Sequence, residues 1–549
     1  MIKTALLRRI FAFSPTLLLA AVAWAVSVAP PRYVRPVDDE RVYLEHADEM
    51  YFDQFAHPDV QRLAGKVAFR HGGMRLYCDS ANYFEQSQSF EAFGHVRMVQ
   101  GDTLTLTGEY LFYDGESQLA QVRRNVVMTH RQQVLKTDSL DYDRLYSMGY
   151  FFDGGELVDG DSRLTSDWGE YYTSTRRSTF NYNVELKNPK YTLRSDTLHY
   201  DTESKWAEVC GPSNIFSGQN TTIYTEHGFF NTQTERMRLY DRSVLRDATR
   251  EMTGDSLSYD KLSGDMLAYG NIFYRDFHNK NILTGHFCRY NEQTGVAMAT
   301  DSALVKDYSN PEDTLVMHAD TFRVYTYNID TDSVYRVTHA YPHVRAYRSD
   351  VQAVCDSLVH HSDLRRLTLY RDPIVWSEQR QILGEEINIF LNDSTVDSVY
   401  VERQALLVEQ VDSTHFNQIT GNIMRSYYEG GEMRESQVEG NVYTVHFPLE
   451  SDSLVLYQVY METAKARMFM AERKMQRIWS PASTGYFYAA GLAPAEHTWL
   501  ENYAWFDYIR PLSRDDVFVW RGKPVESVLK PSIRREAPLQ KLQPVSAAP

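Results

Sequence analysis

Acidic and amide side chains recur at regular intervals along the chain, and they are the first residues that could bind a ligand. Each one starts a short polar segment, as in Asp201-Thr202-Glu203-Ser204 and Asn291-Glu292-Gln293-Thr294-Gly295. Calcium loops need oxygen ligands at closely alternating positions, and none of these segments has a D-x-D-x-D spacing. Asp and Asn side chains also accept hydrogen bonds from backbone N–H groups two residues further on. The pattern therefore predicts turns, and we assign no metal site.

The other reactive residue types do not form a catalytic constellation. The 17 histidines are scattered without metal-ligand spacing, and His360-His361 is a lone pair beside a predicted turn. Gly154-Gly155 and Gly430-Gly431 lack the Lys-Ser/Thr that follows a phosphate loop, and no G-x-S-x-G motif is present. We therefore expect no catalytic residues, no enzyme activity and no cofactor. A β-helix carbohydrate-active enzyme is the enzyme-class alternative, although no paired acid and base marks its site.

The elements that carry these side chains form a repeat of about 29 residues. In Lys136–Leu145, Leu140 and Tyr142 share one face of a short strand, and a corner starting at Asp143 closes it. The aromatic residues before successive corners are separated by 29, 29, 29, 29, 30, 29 and 31 residues. They are Phe84, Tyr113, Tyr142, Tyr171, Tyr200, Phe230, Tyr259 and Tyr290. Such a period predicts an array of stacked units.

A second feature recurs between the aromatic corners, where Gly or Asn precedes an apolar stretch. Examples are Gly94-His95-Val96, Asn125-Val126, Asn183-Val184 and Gly270-Asn271-Ile272. Because Gly and Asn tolerate positive φ, we expect a tight turn there and two strands per unit. Residues 421–440 and 464–483 resemble each other at an offset of 42 and look like modified units. The 38 Tyr and 26 Phe also favour strands, so we predict an all-β fold.

Charge and cysteine content limit the partners. With a net charge of −16, the chain lacks the basic balance that a phosphate backbone attracts, so we expect no nucleic-acid partner. The four cysteines lie far apart without a C-x-x-C pair, which disfavours a zinc or redox motif. In an exported protein they could form up to two disulfides or stay as buried thiols. They are Cys78, Cys210, Cys288 and Cys355.

The N-terminus has the features of an export signal. Lys3, Arg8 and Arg9 precede an apolar run over residues 10–28, and Ala23-Trp24-Ala25 offers a cleavage site. The run is close to the minimum length that spans a bilayer, so an uncleaved membrane anchor is the alternative. In either case the body of the protein is expected outside the inner membrane.

The remaining chain divides by composition and repeat pattern. An aromatic cluster within residues 500–511 is expected to cap the last strand edge, with a partner-docking site as the alternative. The predicted segments are a signal peptide or N-terminal anchor (1–29), a linker (30–60), the repeat array (61–400), modified repeats (401–485), and an aromatic and proline-containing tail that is partly disordered (486–549).

The alternation of Gly-Asn-Val with Asp-Ser-Leu-x-Tyr-Asp resembles the OstA/LptA-like family of periplasmic proteins, associated with organic-solvent tolerance and lipopolysaccharide transport. Both motifs are present, for example in Gly440-Asn441-Val442 and Asp255–Asp260. The resemblance covers residues 65–400 clearly and 421–483 more loosely. Residues 505–511 look like the ending of long OstA-like proteins of Bacteroidota.

This resemblance implies an elongated antiparallel β-jellyroll, a sheet folded into a V whose inner faces form an apolar trough for acyl chains. It also implies a periplasmic location, a lipopolysaccharide or related glycolipid ligand, and lipopolysaccharide-transport partners at the inner and outer membranes. Association with either membrane and end-to-end self-association both stay open. The implied function is a non-enzymatic bridge that carries lipopolysaccharide towards the outer membrane.

Residues i and i+2 of a strand share a face, so the repeat predicts apolar columns along the trough. The columns that we expect to contact lipid are Val96 with Met98, Leu111 with Tyr113, Val126 with Met128, Leu140 with Tyr142, Leu198 with Tyr200, and Leu257 with Tyr259. The alternative is that the V closes and these columns pack a dry core. The main alternative function is an envelope scaffold or spacer that binds other proteins.

Overall fold

The computed structural model describes residues 41–528, apart from 54, 56, 219, 310–312, 330, 393–394, 451–453 and 473. The predicted signal or anchor and the chain beyond residue 528 lie outside the described residues. Within them, 40 strands join one hydrogen-bonded sheet in which the paired neighbours run antiparallel. None of the helices in the described part of the chain is long and apolar enough to cross a membrane. The prediction of an all-β fold is confirmed.

The strands follow one another along the sheet in nearly sequential order. The first are β1 (Tyr43–His46), β2 (Glu49–Asp53), β3 (His57–His71), β4 (Met74–Phe84), β5 (Ser89–Gln100), β6 (Leu104–Asp114), β7 (Leu119–His130), β8 (Gln133–Asp143), β9 (Met148–Phe151), β10 (Gly155–Asp159), β11 (Ser162–Ser166), β12 (Trp168–Tyr172), β13 (Arg177–Asn188), β14 (Tyr191–Asp201), β15 (Trp206–Ser217) and β16 (Thr221–Asn231). Next come β17 (Met237–Tyr240), β18 (Val244–Arg246), β19 (Arg250–Thr253), β20 (Ser256–Asp260), β21 (Asp265–Asp276), β22 (Asn281–Asn291), β23 (Val296–Thr300), β24 (Leu304–Asp307), β25 (Leu315–His318), β26 (Thr321–Tyr327), β27 (Tyr335–Tyr341), β28 (Val344–Tyr347), β29 (Val351–Cys355) and β30 (Ser357–His361).

The C-terminal part contains three of the four 15-residue strands and the few helical turns. Its strands are β31 (Arg366–Tyr370), β32 (Ile374–Ser377), β33 (Arg380–Leu383), β34 (Glu386–Leu391), β35 (Val396–Gln410), β36 (Phe416–Glu429), β37 (Glu432–His446), β38 (Leu449–Glu450), β39 (Leu454–Val455), β40 (Tyr457–Ala471), β41 (Lys474–Trp479) and β42 (Thr484–Ala489). A short helix α1 (Ala495–Thr498) and three 3-10 turns follow, at Asp507–Ile509, Asp516–Phe518 and Val525–Ser527.

Long strands bend near their centres, because two consecutive residues adopt positive φ. In β5 these are Gly94 (φ 72°) and His95 (φ 43°), and in β7 they are Arg124 (φ 63°) and Asn125 (φ 52°). The pairing register shifts at the same points. Each Gly/Asn site is therefore a β-bulge within one strand. The expectation of positive φ is confirmed, whereas the expectation of a turn between two strands was wrong.

Carboxylates on the neighbouring strand hold these bends. The Nδ2 of Asn183 donates to Asp167 at 2.7 Å, and the Nδ2 of Asn271 donates to Asp255 at 2.8 Å. These aspartates recur with the repeat, so part of the acidic content serves to fix the bend. Their role was not assigned from the sequence.

The polar corners are turns, as predicted. The Oδ1 of Asp201 accepts the N–H groups of Glu203 at 2.9 Å and of Ser204 at 3.0 Å. The Oδ1 of Asn291 accepts the N–H of Thr294 at 2.8 Å. These are side-chain-to-backbone turn contacts of the expected kind.

The bends divide the sheet into two leaves that face each other, which gives the expected V-shaped jellyroll. The first leaf ends in the polar corners, and the second leaf ends in hairpin tips. Phe69 of the second leaf stacks on Phe90 of the first, with ring centroids 4.2 Å apart. Tyr83, rather than Phe84, occupies the first corner position, because Tyr83 pairs with Phe90 and Phe90 pairs with Tyr113.

The two ends of the array differ from the predicted boundaries. Strands β1 and β2, within the expected linker, both pair with β3. At the other end, Leu500, Phe506 and Ile509 are buried against Trp376. On β32, Val375 packs with the inner core whereas Trp376 packs with this cluster, so the tail lies on the outer face of the second leaf. The aromatic cluster covers a face of the sheet, not its last edge.

Candidate functional site

The residues predicted to line the trough pack together in a closed interior. Eleven of the twelve are at most 5% exposed, and Tyr259 is half-buried. They belong to, or pack against, one continuous apolar core that extends from Val42 to Ile272. In this form the N-terminal columns contact one another across the V, so contact with lipid requires the leaves to separate and stays a prediction. The buried residues are Val96, Met98, Leu111, Tyr113, Val126, Met128, Leu140, Tyr142, Leu198, Tyr200 and Leu257.

Polar contacts close the mouth of the V where the free ends of the two leaves meet. His71, at a hairpin tip of the second leaf, makes a 2.7 Å hydrogen bond through Nδ1 with the hydroxyl of Tyr113 on the first leaf. Arg144, in a corner of the first leaf, donates to that hydroxyl at 2.6 Å and to the carbonyl of His71 at 3.1 Å. This group ties one hairpin tip to two corners.

The same arrangement recurs twice further along the mouth. His130 bonds the hydroxyl of Tyr171 at 2.7 Å. The hydroxyl of Tyr200 donates to Asp159 at 2.7 Å, and the ammonium of Lys205 reaches both oxygens of that carboxylate at 2.7 and 2.6 Å. Burial, followed by the nearby positive charges of arginines, lowers the pKa of His130. We call the three groups centred on His71, His130 and Asp159 the clasps.

Packing of the interior loosens around β22, although Leu257, Ala268 and Ile272 before it and Ala299 after it are buried. Strand β14 alternates buried and exposed residues, but no residue of β22 is buried. We define the opening by the inward side chains of Tyr259, Met266, Tyr274, Leu283 and Cys288, all of which are half-buried. Between Asp247 and Tyr327, the described residues show no hydrogen bond or ion pair that joins the leaves across the mouth.

The opening has a simple steric origin in the size of the inward side chains. Cys288 lies between Ala268 and Ala299 in the sheet, whereas Leu198 of the closed region lies between Phe180 and Val209. Three small residues in a row cannot fill the width that large residues fill elsewhere. Ala268 and Ala299 are themselves buried, and the neighbouring inward side chains Met266, Tyr274 and Leu283 are covered only in part.

Packing resumes beyond the opening. A second core extends from Ala299 to Met468 on the inner faces. Near its far end a narrow cavity of about 50 Å³ is lined in part by Met433, Met468 and Met475. Such a volume holds a few water molecules at most and is too small for a lipid chain.

The rim of the opening carries charges of both signs. The hydroxyl of Tyr259 donates to Glu292 at 2.7 Å, and the Lys261 ammonium lies 3.4 Å from the same carboxylate. The hydrogen bond from Tyr259 lowers the pKa of Glu292. Burial raises the pKa of the Cys288 thiol to about 11. The neutral thiol faces inward, and both charged side chains stay at the edge.

Metal ligands and thiols are the remaining reactive groups of the described residues. They contain no group of three or more His, Cys, Asp or Glu side chains placed to hold a metal ion. All four cysteines are unpaired, so the sequence alternative of free thiols holds in this structure. Burial raises the pKa of Cys78 to about 12.

The sequence interpretation missed the clasps and the opening. A signal for the clasps exists, because His71, His130 and Asp159 precede their tyrosine partners by 42, 41 and 41 residues. A polar residue at a hairpin tip, followed after one and a half repeats by a corner tyrosine, marks a bond across the mouth. The signal for the opening is a run of Ala, Gly and Cys at inward positions.

Comparison with known proteins bears on the N-terminal part of the array. No curated protein matches the chain. A crystal structure of LptH from Pseudomonas aeruginosa, the LptA-homologous periplasmic component of a lipopolysaccharide transport device, covers 25% of this chain and 81% of its own, at 14% identity. Its TM-score of 0.14 is too low to carry an argument. Residues 39–196 match the family model of the OstA-like proteins. Over these residues the chain is similar to the OstA-like proteins.

Proposed function

We propose that the chain is a non-enzymatic periplasmic carrier that holds the acyl chains of lipopolysaccharide or a related glycolipid between its leaves and passes the lipid towards the outer membrane. The observation that carries this proposal is the opening, an apolar inner surface that is only partly covered where the two packed cores meet. The OstA-like region supports the assignment to lipopolysaccharide transport.

The opening has the properties that an acyl chain requires. Leu283, Met266 and Cys288 present apolar surface, and each Å² removed from water by a bound chain contributes about 25 cal/mol. Lys261 and Arg250 at the rim can face the phosphates of a glycolipid headgroup while the chains lie inside. The adjoining acids, Glu292 and Asp247, partly neutralise these cations. Burial of apolar surface is therefore expected to contribute most of the affinity for the lipid.

Movement of lipid beyond the opening requires the clasps to release. The interior on the N-terminal side is filled by its own side chains, so a lipid can enter only where the leaves separate. Each clasp involves a few hydrogen bonds and can break without its neighbours, since an array is held by nearest-neighbour contacts. The bulges at the base of the V already interrupt the backbone ladder, so the leaves can separate there while each leaf keeps its own strand pairing.

The test is a photo-cross-linker placed on opposite faces of one strand in cells. A cross-linker at Leu283, which points inward, is expected to capture lipopolysaccharide, and one at Thr284, which points outward, is not. The pair Leu198 and His199 applies the same comparison to the closed region and reports whether the clasps open. Equal capture at Leu283 and Thr284 would contradict the trough.

Depletion of the protein separates transport from a scaffold role. Loss of a carrier should leave newly made lipopolysaccharide in the inner membrane, and mild extraction of the protein should retain bound glycolipid that mass spectrometry detects. A scaffold or spacer would leave the lipopolysaccharide content of the outer leaflet unchanged. That result would refute the proposal.

A further inference from the structure

Buried glutamines fix the tail to the outer face of the second leaf through the tail backbone. Gln381, which is fully buried, donates to the carbonyl of Ala504 at 2.9 Å and accepts the N–H of Phe506 at 2.8 Å. Gln418 donates to the carbonyl of Thr498 at 3.0 Å and accepts the N–H of Leu500 at 3.0 Å. These four hydrogen bonds and the burial of Leu500 and Phe506 hold the proximal part of the tail on the sheet.

The next part of the tail forms a loop between two anchors. Arg510 donates to Gln352 at 2.7 Å, and Lys523 forms a 2.5 Å ion pair with Asp372. We call residues 511–522 the tail loop. At the tip of this loop, the fully buried Val517 packs against Leu304 and Val316 of the sheet.

A cation that forms no ion pair with the described residues lies beneath this tip. The Arg345 side chain is 3% exposed, donates through Nε to the carbonyl of Val517, and has no hydrogen-bond partner for Nη1. The Trp520 ring covers its guanidinium at 5.4 Å. Burying a guanidinium without a carboxylate partner is costly, so the docked tip is less stable than the glutamine-bound segment.

His318 adds a titratable group to the same contact. Its ring is 6% exposed, lies 4.8 Å from the ring of Phe518, and bonds the carbonyl of Ala303 through Nδ1 at 2.7 Å. Burial, together with the charge of Arg345, lowers the pKa of His318. Asp320, 3.9 Å from Nε2, opposes this effect only in part.

The loop tip docks directly behind the opening. On β24 and β25, Leu304 and Val316 contact the tail loop, while Val305 and Met317 on the opposite side pack with the inner core. Val305 pairs with Leu283 of the opening. The loop therefore supports, from outside, the strands that form one wall of the opening.

We propose that the tail loop is a proton-sensitive latch whose release exposes Arg345 and His318 to water and frees the wall of the opening. Release itself does not depend on lipid; only its consequence for lipid entry rests on the proposed function.

The direction of the pH effect follows from the charges around His318. Arg345 on β28 and His343 before it disfavour a second charge, whereas Asp320 and the Ala303 carbonyl favour one. Of the two acids in the loop, Asp515 is exposed and Asp516 is engaged with Arg521 at 2.9 Å. The docked state therefore prefers neutral His318. The docked state of the tail loop has its full stability at pH values above the pKa of the released imidazole, about 6.5. It weakens as pH falls below that value, by up to about tenfold per pH unit until the lowered pKa is reached.

Hydrogen exchange on the full chain without lipid tests the latch at pH 7.5 and 5.5, after correction for the intrinsic pH dependence of exchange. We expect protection of the tail loop and of β25 to fall by up to about tenfold at pH 5.5, while residues 498–506 stay protected. His318→Asn should remove the pH dependence, and Phe518→Ala should lower protection at both pH values. An equal fall in His318→Asn, or a joint loss in residues 498–506, would overturn the proposal.

Discussion

Removing the cation from the Asp159 clasp should open the mouth of the V locally. Lys205→Met keeps the length of the side chain but leaves a carboxylate that is only 5% exposed without its ion-pair partner. Breaking a buried pair in this way costs about 3–5 kcal/mol. Because Lys205 is 26% exposed, and Tyr200 and Gln133 still donate to Asp159, we expect a cost of about 2–3 kcal/mol.

A cost of that size increases the equilibrium constant for local opening about 30- to 150-fold. Hydrogen exchange of the backbone amides in β10, β11 and the corner at Asp201 measures this change. Lys190→Met is the matched control, because its partner Glu235 forms an exposed ion pair worth less than about 1 kcal/mol. Adding Asp159→Asn to Lys205→Met should restore most of the protection. Equal exchange in Lys205→Met and Lys190→Met, or no recovery in the double variant, would refute the role of the clasp.

Three further changes test other parts of the structure. Bound lipid should protect Cys288, which points into the opening, from an apolar maleimide but leave the outward-facing Cys210 unaffected; equal protection would contradict the trough. Gln381→Leu leaves a tail carbonyl and a tail N–H buried without partners, at a cost of about 1–3 kcal/mol each, so limited proteolysis should cut the tail first. An unchanged cleavage pattern would contradict the role of Gln381 in holding the tail on the sheet. Asn183→Val should lower the free energy of unfolding in urea by about 1–3 kcal/mol, because φ is 51° and the bond to Asp167 is lost; no change would exclude strain at the bend.

Local patterns in the sequence were sufficient to predict the repeat and the inward faces. Leu198 and Tyr200 alternate with polar residues, and that alternation alone places both inside the V. The Asp-initiated corners were equally predictable, since a carboxylate satisfies the N–H groups next to it in the chain. The bends were not, because positive φ at Gly94 or Asn125 suits a hairpin turn and a bulge equally. Pairing with the neighbouring strand decides between the two.

Features that depend on contacts between distant residues could not be predicted from the sequence. The width of the opening depends on Cys288 meeting Ala268 and Ala299, which only the strand register reveals. The docking of residues 498–506 on the sheet was not predicted either, because Gln381 and Gln418 bind the backbone of the tail, and backbone groups leave no trace in side-chain composition. The clasps likewise join residues more than one repeat apart.

The break between the two apolar cores also shapes how the chain folds. Backbone pairing continues without interruption from β21 through β22 to β23, whereas the side-chain cores stop at Ile272 and start again at Ala299. Cooperativity in stacked units travels through packed neighbours, so it is weakest at this junction. The array consists of two folding blocks on a common hydrogen-bonded ladder, and damage to one block stays largely confined to it.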